Sequence, residues 1–171
     1  SIAQWVLLWM NYCTKTTRGK LTGTLKVRLF MCPHLRVLPT VDGSPITPAN
    51  VNGGYTVTRP ADWEIVVYRK EEWFKVFIHE TIHAFHFEPS PSTMIPLESA
   101  LRERFVLAKH HSLKSSETYC ELLARIWLTA FNAYISSMML RTGLTFSQTF
   151  SYYFRIEAEY AHQKTLQLMG K

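Results

Sequence analysis

The 171-residue chain predicts an α+β fold in which a strand-rich part, residues 20–70, precedes a helical part, residues 71–171, within one domain. Three observations predict it. Segments before residue 70 alternate apolar and polar residues with the two-residue period of a strand. The stretch "EEWFKVFIHETIHAFHFE", residues 71–88, then changes to helical spacing and contains neither glycine nor proline. After it the chain stays helical, with no internal repeat that would return it to strands. Hydrophobic residues make up 47% of the chain and charged residues 19%, enough apolar surface to offset the entropy of ordering, which excludes a disordered tail.

Taken in order, residues 2–12 form a short helix that covers the domain with Trp5, Leu8 and Trp9. In "TLKVRLFMC", Leu25, Val27, Leu29 and Met31 fall on one face of a strand. Residues 33–53 hold Pro33, Pro39, Pro45 and Pro48 with "DG" and "NGG", and read as an irregular connection. "GYTVT" sets Tyr55 and Val57 against Thr56 and Thr58 before Pro60 stops it, as in an edge strand. "WEIVVYR" is more continuously apolar, as expected of a strand buried on both faces. A helix over 71–87 starts with Glu71 and Glu72 at the positive end of its dipole and is ended by Pro89 and Pro91. Helices over 97–109, 116–141 and 146–169 follow, with Gly143 capping the third of the four.

A net charge of +6 and a pI near 9.3 favour an acidic partner, yet the basic residues are spread along the chain, so no nucleic-acid partner is expected. Cys13, Cys32 and Cys120 form no CxxC pair and no disulfide framework, which fits the cytoplasm or another reducing compartment, and no signal peptide is visible. "WVLLWM" is too short to cross a bilayer, and residues 122–140 are interrupted by Arg125, Asn132 and two serines, so no membrane span is expected.

The chemistry concentrates in "HETIH". His79 and His83 lie four residues apart, so both imidazoles leave one helical face close enough to share an ion, and surface or hydrogen-bonded histidines are the plainer alternative. Glu80 lies about 100° round from His79, where a carboxylate sits beside a metal without binding it and serves as general base. Phe74, Ile78, Ile82 and Phe85 give the same helix a separate apolar stripe. An unbroken helix carries His86 about 10 Å along the axis from His79, so it reads as a rim residue that contacts substrate or simply faces solvent.

A catalytic zinc site takes three protein ligands, and the third comes from elsewhere. "ETYCE", residues 117–121, is the best source: Glu117 binds, and Glu121 one turn on accepts a hydrogen bond from the free nitrogen of a ligand histidine. Glu98, His110 and His111 are rival ligands. Tyr119, Tyr152, Tyr153, Tyr160 or His162 could stabilise an oxyanion. The edge strand, through Gly54, Tyr55 and Thr56, is placed to pair with an extended substrate backbone.

The "HETIH" helix preceded by strands and followed by "ETYCE" resembles the zincin metallopeptidases, in the branch whose third ligand is a glutamate. More narrowly, "VNGGYT" followed by "IVVYRKEEWFKVFIHETIHAF" is similar to metallopeptidase-like proteins of nucleocytoplasmic large DNA viruses, over about 40 residues. The resemblance implies a small mixed, twisted sheet with its edge strand lining the cleft, a Zn²⁺ cofactor, and an acidic residue four positions after the ligand glutamate that supports a histidine. It also implies hydrolysis of a peptide or protein substrate in a setting that includes the virion. The chain departs from the family in the 33 residues between His83 and Glu117, more than in its shortest members, and in the extra His86. The alternative is a non-catalytic structural or interaction protein, such as a virion component, that keeps the fold with a closed cleft or a fourth protein ligand.

Overall fold

The computed structural model describes residues 1–17, 23–37, 44–59, 62–106, 113–139 and 143–169. Alternating side chains place every second residue of β1 (Thr24–Cys32) inward, and Leu25, Val27 and Leu29 accordingly pack against the core while Lys26, Arg28 and Phe30 face out. The apolar run of β3 (Asp62–Arg69) takes the centre of a three-stranded sheet of order β1-β3-β2, with Ile65, Val66 and Val67 buried. β1 runs parallel to β3, and β2 (Gly54–Arg59) runs antiparallel to it along the opposite edge. The mixed α+β class read from the sequence therefore holds among the described residues.

The helices stack away from one sheet face. α3 (Trp73–Ala84) lies against β2 and β3, α5 (Ser115–Met139) packs on α3, and α6 (Phe146–Met169) packs on α5. α1 (Ile2–Thr16) closes the core from the side: Trp5 meets Phe74 edge-on, and the Trp9 indole N–H donates to the Thr81 hydroxyl at 2.5 Å in a fully buried contact. Leu8, expected to share this covering role, is half exposed, because it falls about 100° round α1 from Trp9 and about 140° from Cys13, the two residues that mark the buried stripe. A short α2 (Pro48–Val51) interrupts the irregular connection, and α4 (Pro91–Phe105) links α3 to α5. No helix among the described residues is long and apolar enough to cross a membrane.

Three boundaries differ from the sequence expectation for local physical reasons. Glu71 and Glu72 do not enter the first turn of α3. Glu72 is its left-handed N-cap, and the two carboxylates hold Arg36 instead, Glu71 at the backbone N–H and Glu72 at the guanidinium. The helix ends at Ala84 and not at residue 87, before any proline. His86 adopts a left-handed φ of 51°, its N–H bonds the carbonyl of His83, and the N–H of Phe87 reaches back to Ile82, the paired hydrogen bonds of a Schellman turn. Pro91 opens α4 instead of terminating α3: it occupies the first turn, where its missing N–H costs nothing, behind the N-cap Ser90. α4 therefore begins six residues earlier than the predicted start at 97.

Candidate metal centre

α3 presents Lys75, His79 and His83 one above another at four-residue spacing, and α5 crosses opposite with Glu117 and Glu121, also four apart. The two ladders interlock. Nε2 of His79 and Nε2 of His83 are 3.1 Å apart, and Oε2 of Glu117 lies 3.4 Å from the first and 3.5 Å from the second. These three donors form one compact triangle able to hold a metal ion. A tetrahedral zinc with ligands at about 2.0–2.1 Å would separate those ligands by roughly 3.3–3.4 Å, so the triangle fits such an ion with little adjustment.

The far nitrogens of both rings face carboxylates. Nδ1 of His79 is buried without a hydrogen-bond partner and stands 3.6 Å from Oε2 of Glu121, a charge contact too long for a hydrogen bond. Nδ1 of His83 lies 2.5 Å from Oε1 of Glu88, which follows the Schellman turn. Burial works against a charged His79, but Glu121, Glu80 and Glu117 outweigh it and raise its pKa. For Glu121, too, burial alone would raise the pKa; His79, Lys75 and Arg125 reverse this and hold it far below the usual carboxylate range. Lys75, nearly buried, donates to Glu121 at 2.6 Å, and Arg125 bonds the same carboxylate at 2.9 Å while reaching Glu157.

Glu80 lies about 100° round α3 from His79, on the side toward the edge strand. The Thr56 hydroxyl lies 2.8 Å from its Oε2 and 2.9 Å from its carbonyl oxygen; with one proton it donates to one of the two. Burial pushes the Glu80 pKa up, and the Thr56 hydroxyl and the two imidazoles oppose that rise. Gly54 allows this close approach of strand to helix, since a Cβ there would sit 2.5 Å from the Val66 carbonyl and 2.8 Å from Val76 Cγ1.

A cleft of about 1020 Å³ opens along β2 and α3 and is lined by Gly54, Tyr55, Thr56, Glu80, His86 and Tyr160, with the triangle of donors at its wall. Arg36, Lys75 and Arg125 also line it, each paired with the carboxylate of Glu72 or Glu121. The free edge of β2 faces this space. The Tyr68 N–H bonds the Gly53 carbonyl, so by alternation along an antiparallel ladder the main-chain groups of Gly54, Thr56 and Thr58 point away from β3.

Residues singled out from the sequence thus divide. His79, Glu80, His83, Glu117, Glu121, Gly54, Tyr55, Thr56 and His86 all line the cleft. His86 is exposed, with its ring against Trp63 at 5.4 Å, and its backbone makes the turn. Glu98 is elsewhere, accepting a hydrogen bond from Ser115. His110 and His111 lie outside the described residues. Of the oxyanion candidates, Tyr119 packs on the core, Tyr153 is tied to Ser136 at 2.8 Å, Tyr152 and His162 face solvent, and Tyr160 alone lines the cleft.

Sequence reasoning missed Glu88, Lys75 and Arg125. Lys75 had a readable signal, one turn before His79 on the same stripe, whereas Glu88 depends on a chain reversal that no glycine announced. A second donor group, His83, Glu88 and Cys120, adjoins the first, with Cys120 Sγ 4.0 Å from His83 Nδ1. No family model, curated protein or solved structure matches this chain.

Proposed function

We propose that this chain is a zinc-dependent peptidase of the zincin type. The observation that carries the reading is the triangle of His79, His83 and Glu117 donors, with side lengths of 3.1, 3.4 and 3.5 Å, beside the buried carboxylate of Glu80. A bound zinc ion acidifies water to a pKa of about 7 and polarises a carbonyl.

The chain supplies the rest. Glu117 is half exposed on the cleft side, and the first donor group has three members among the described residues, which supports a site open to solvent and substrate over a closed structural one. Glu80 accepts the proton of the attacking water on its carboxylate and passes it to the leaving amine; burial raises its basicity toward the working pH, and Thr56 fixes its orientation. The outward main-chain groups of Gly54, Thr56 and Thr58 hold an extended peptide as an added strand. Because Thr56 binds Glu80 through its side chain, the same residue sets the substrate backbone and the base in one register.

Glu80→Gln tests the reading: it keeps the shape of the side chain and removes the proton acceptor. Zinc should be retained while cleavage of labelled casein falls by at least about 10²-fold. Unchanged turnover in the zinc-loaded variant would overturn the role of Glu80. A non-catalytic protein would show no cleavage in either form.

A further inference from the structure

We propose that Glu88 is the positioning residue for His83, holding that imidazole by its Nδ1 so that Nε2 faces His79 and Glu117. The inference rests on the zinc-site reading above and extends it to a residue outside the helical ladders.

Glu88 reaches His83 only because α3 stops at Ala84. Continued as a helix, residue 88 would lie about 7.5 Å further along the axis and about 140° round from His83, out of reach. The left-handed His86 reverses the chain, and Oε1 of Glu88 comes to 2.5 Å from Nδ1 of His83. Both side chains are mostly buried, about 22% and 20% exposed, so the contact is shielded from water.

The bond has one chemical consequence for the ring. A carboxylate only accepts, so Nδ1 must carry the hydrogen, and the lone pair is left on Nε2. Nε2 is the atom 3.1 Å from His79 Nε2 and 3.5 Å from Glu117 Oε2. The two histidines face carboxylates of different origin: Glu121 from α5 stands 3.6 Å from Nδ1 of His79 in a charge contact alone, and Glu88 from the turn after α3 holds His83 by a hydrogen bond. Cys120 Sγ lies 4.0 Å from the same Nδ1. An outer carboxylate of this kind typically changes metal affinity 10- to 100-fold.

The test measures Zn²⁺ affinity by competition with a chromophoric chelator in wild type, Glu88→Ala and Glu88→Gln, with ¹H–¹⁵N NMR of the His83 ring in the zinc-loaded proteins. Glu88→Ala should bind zinc about 10- to 100-fold more weakly, and Glu88→Gln, whose amide oxygen still accepts, should recover most of the loss. The Nδ1–H proton of His83 should resonate far downfield in wild type and move upfield in Glu88→Ala. Equal affinity in all three overturns the proposal. So does a wild-type stoichiometry of two zinc ions that falls to one in Glu88→Ala, which would make Glu88 a ligand. A wild type that binds no zinc would instead refute the parent reading.

Discussion

Substituting Gly54 by alanine probes the link between the edge strand and Glu80, the proposed base. The new Cβ would stand 2.5 Å from the Val66 carbonyl oxygen, about 0.9 Å inside an ordinary C···O contact, and 2.8 Å from Val76 Cγ1. The carbonyl belongs to the central strand and cannot move alone, so β2 must shift outward. Overpacking of this kind costs up to about 3 kcal/mol, offset by up to about 1 kcal/mol from the reduced freedom of the unfolded chain. A net loss of about 2 kcal/mol corresponds to a fall in Tm of roughly 4–8 °C at this length. Thr56 moves with the strand, and a displacement near 1 Å should lower kcat/KM for labelled casein about 10²-fold. The control is Gly53→Ala, whose Cβ would meet only the side-chain ends of Val76 and Arg36 at 3.0 and 3.3 Å and should cost less than about 1 kcal/mol. Differential scanning calorimetry and the cleavage assay read both variants. A Gly54→Ala protein as stable and active as wild type, or a larger effect at Gly53, would refute the reasoning.

Three further outcomes follow from the structure. The folded-state pKa of Glu121 is depressed, so its contribution is complete above the unfolded value near 4.3 and is lost as pH falls through the folded one; the Tm gap between wild type and Glu121→Gln should therefore be full at pH 6 and shrink below about pH 4.3, and a gap that widens in acid contradicts this sign. Trp9→Phe removes the donor to the buried Thr81 hydroxyl and should cost about 1–2 kcal/mol by urea unfolding, against about 3–5 kcal/mol for Trp9→Ala. His86→Gly should be about 1 kcal/mol more stable than His86→Ala, since both lose the ring contact with Trp63 and only glycine adopts a left-handed φ without strain; equal stability would contradict the turn.

The sheet was legible because its strands differ in the way physics requires. β1 alternates where one face is exposed, and the central strand β3 carries the apolar run Ile65, Val66 and Val67, all buried. The placement of His79, Glu80 and His83 followed from helical spacing alone, whereas spacing could only offer Glu117 beside its rivals Glu98, His110 and His111, and the packing of α5 on α3 brings Glu117 to the two histidines. The boundaries were less legible for tertiary reasons. Glu71 and Glu72 carry a helix-starting signal that Arg36, distant in sequence, redirects. Pro91 reads equally as a stop or a start, and the choice is made by Ser90 before it. Glu88 was hidden because a histidine occupies the left-handed position where glycine is the usual signal. The acid–base network of Lys75, Glu121 and Arg125 depends on the pairing of α3 with α5, which local periodicity does not determine.

The central claim is that two imidazoles of α3 and one carboxylate of α5 hold a single ion. Native mass spectrometry of the purified protein with added Zn²⁺ measures this directly. Wild type and Glu80→Gln should each carry one zinc per chain, and His83→Ala and Glu117→Ala should carry none at the same free zinc concentration. Equal occupancy in wild type, His83→Ala and Glu117→Ala would contradict the account.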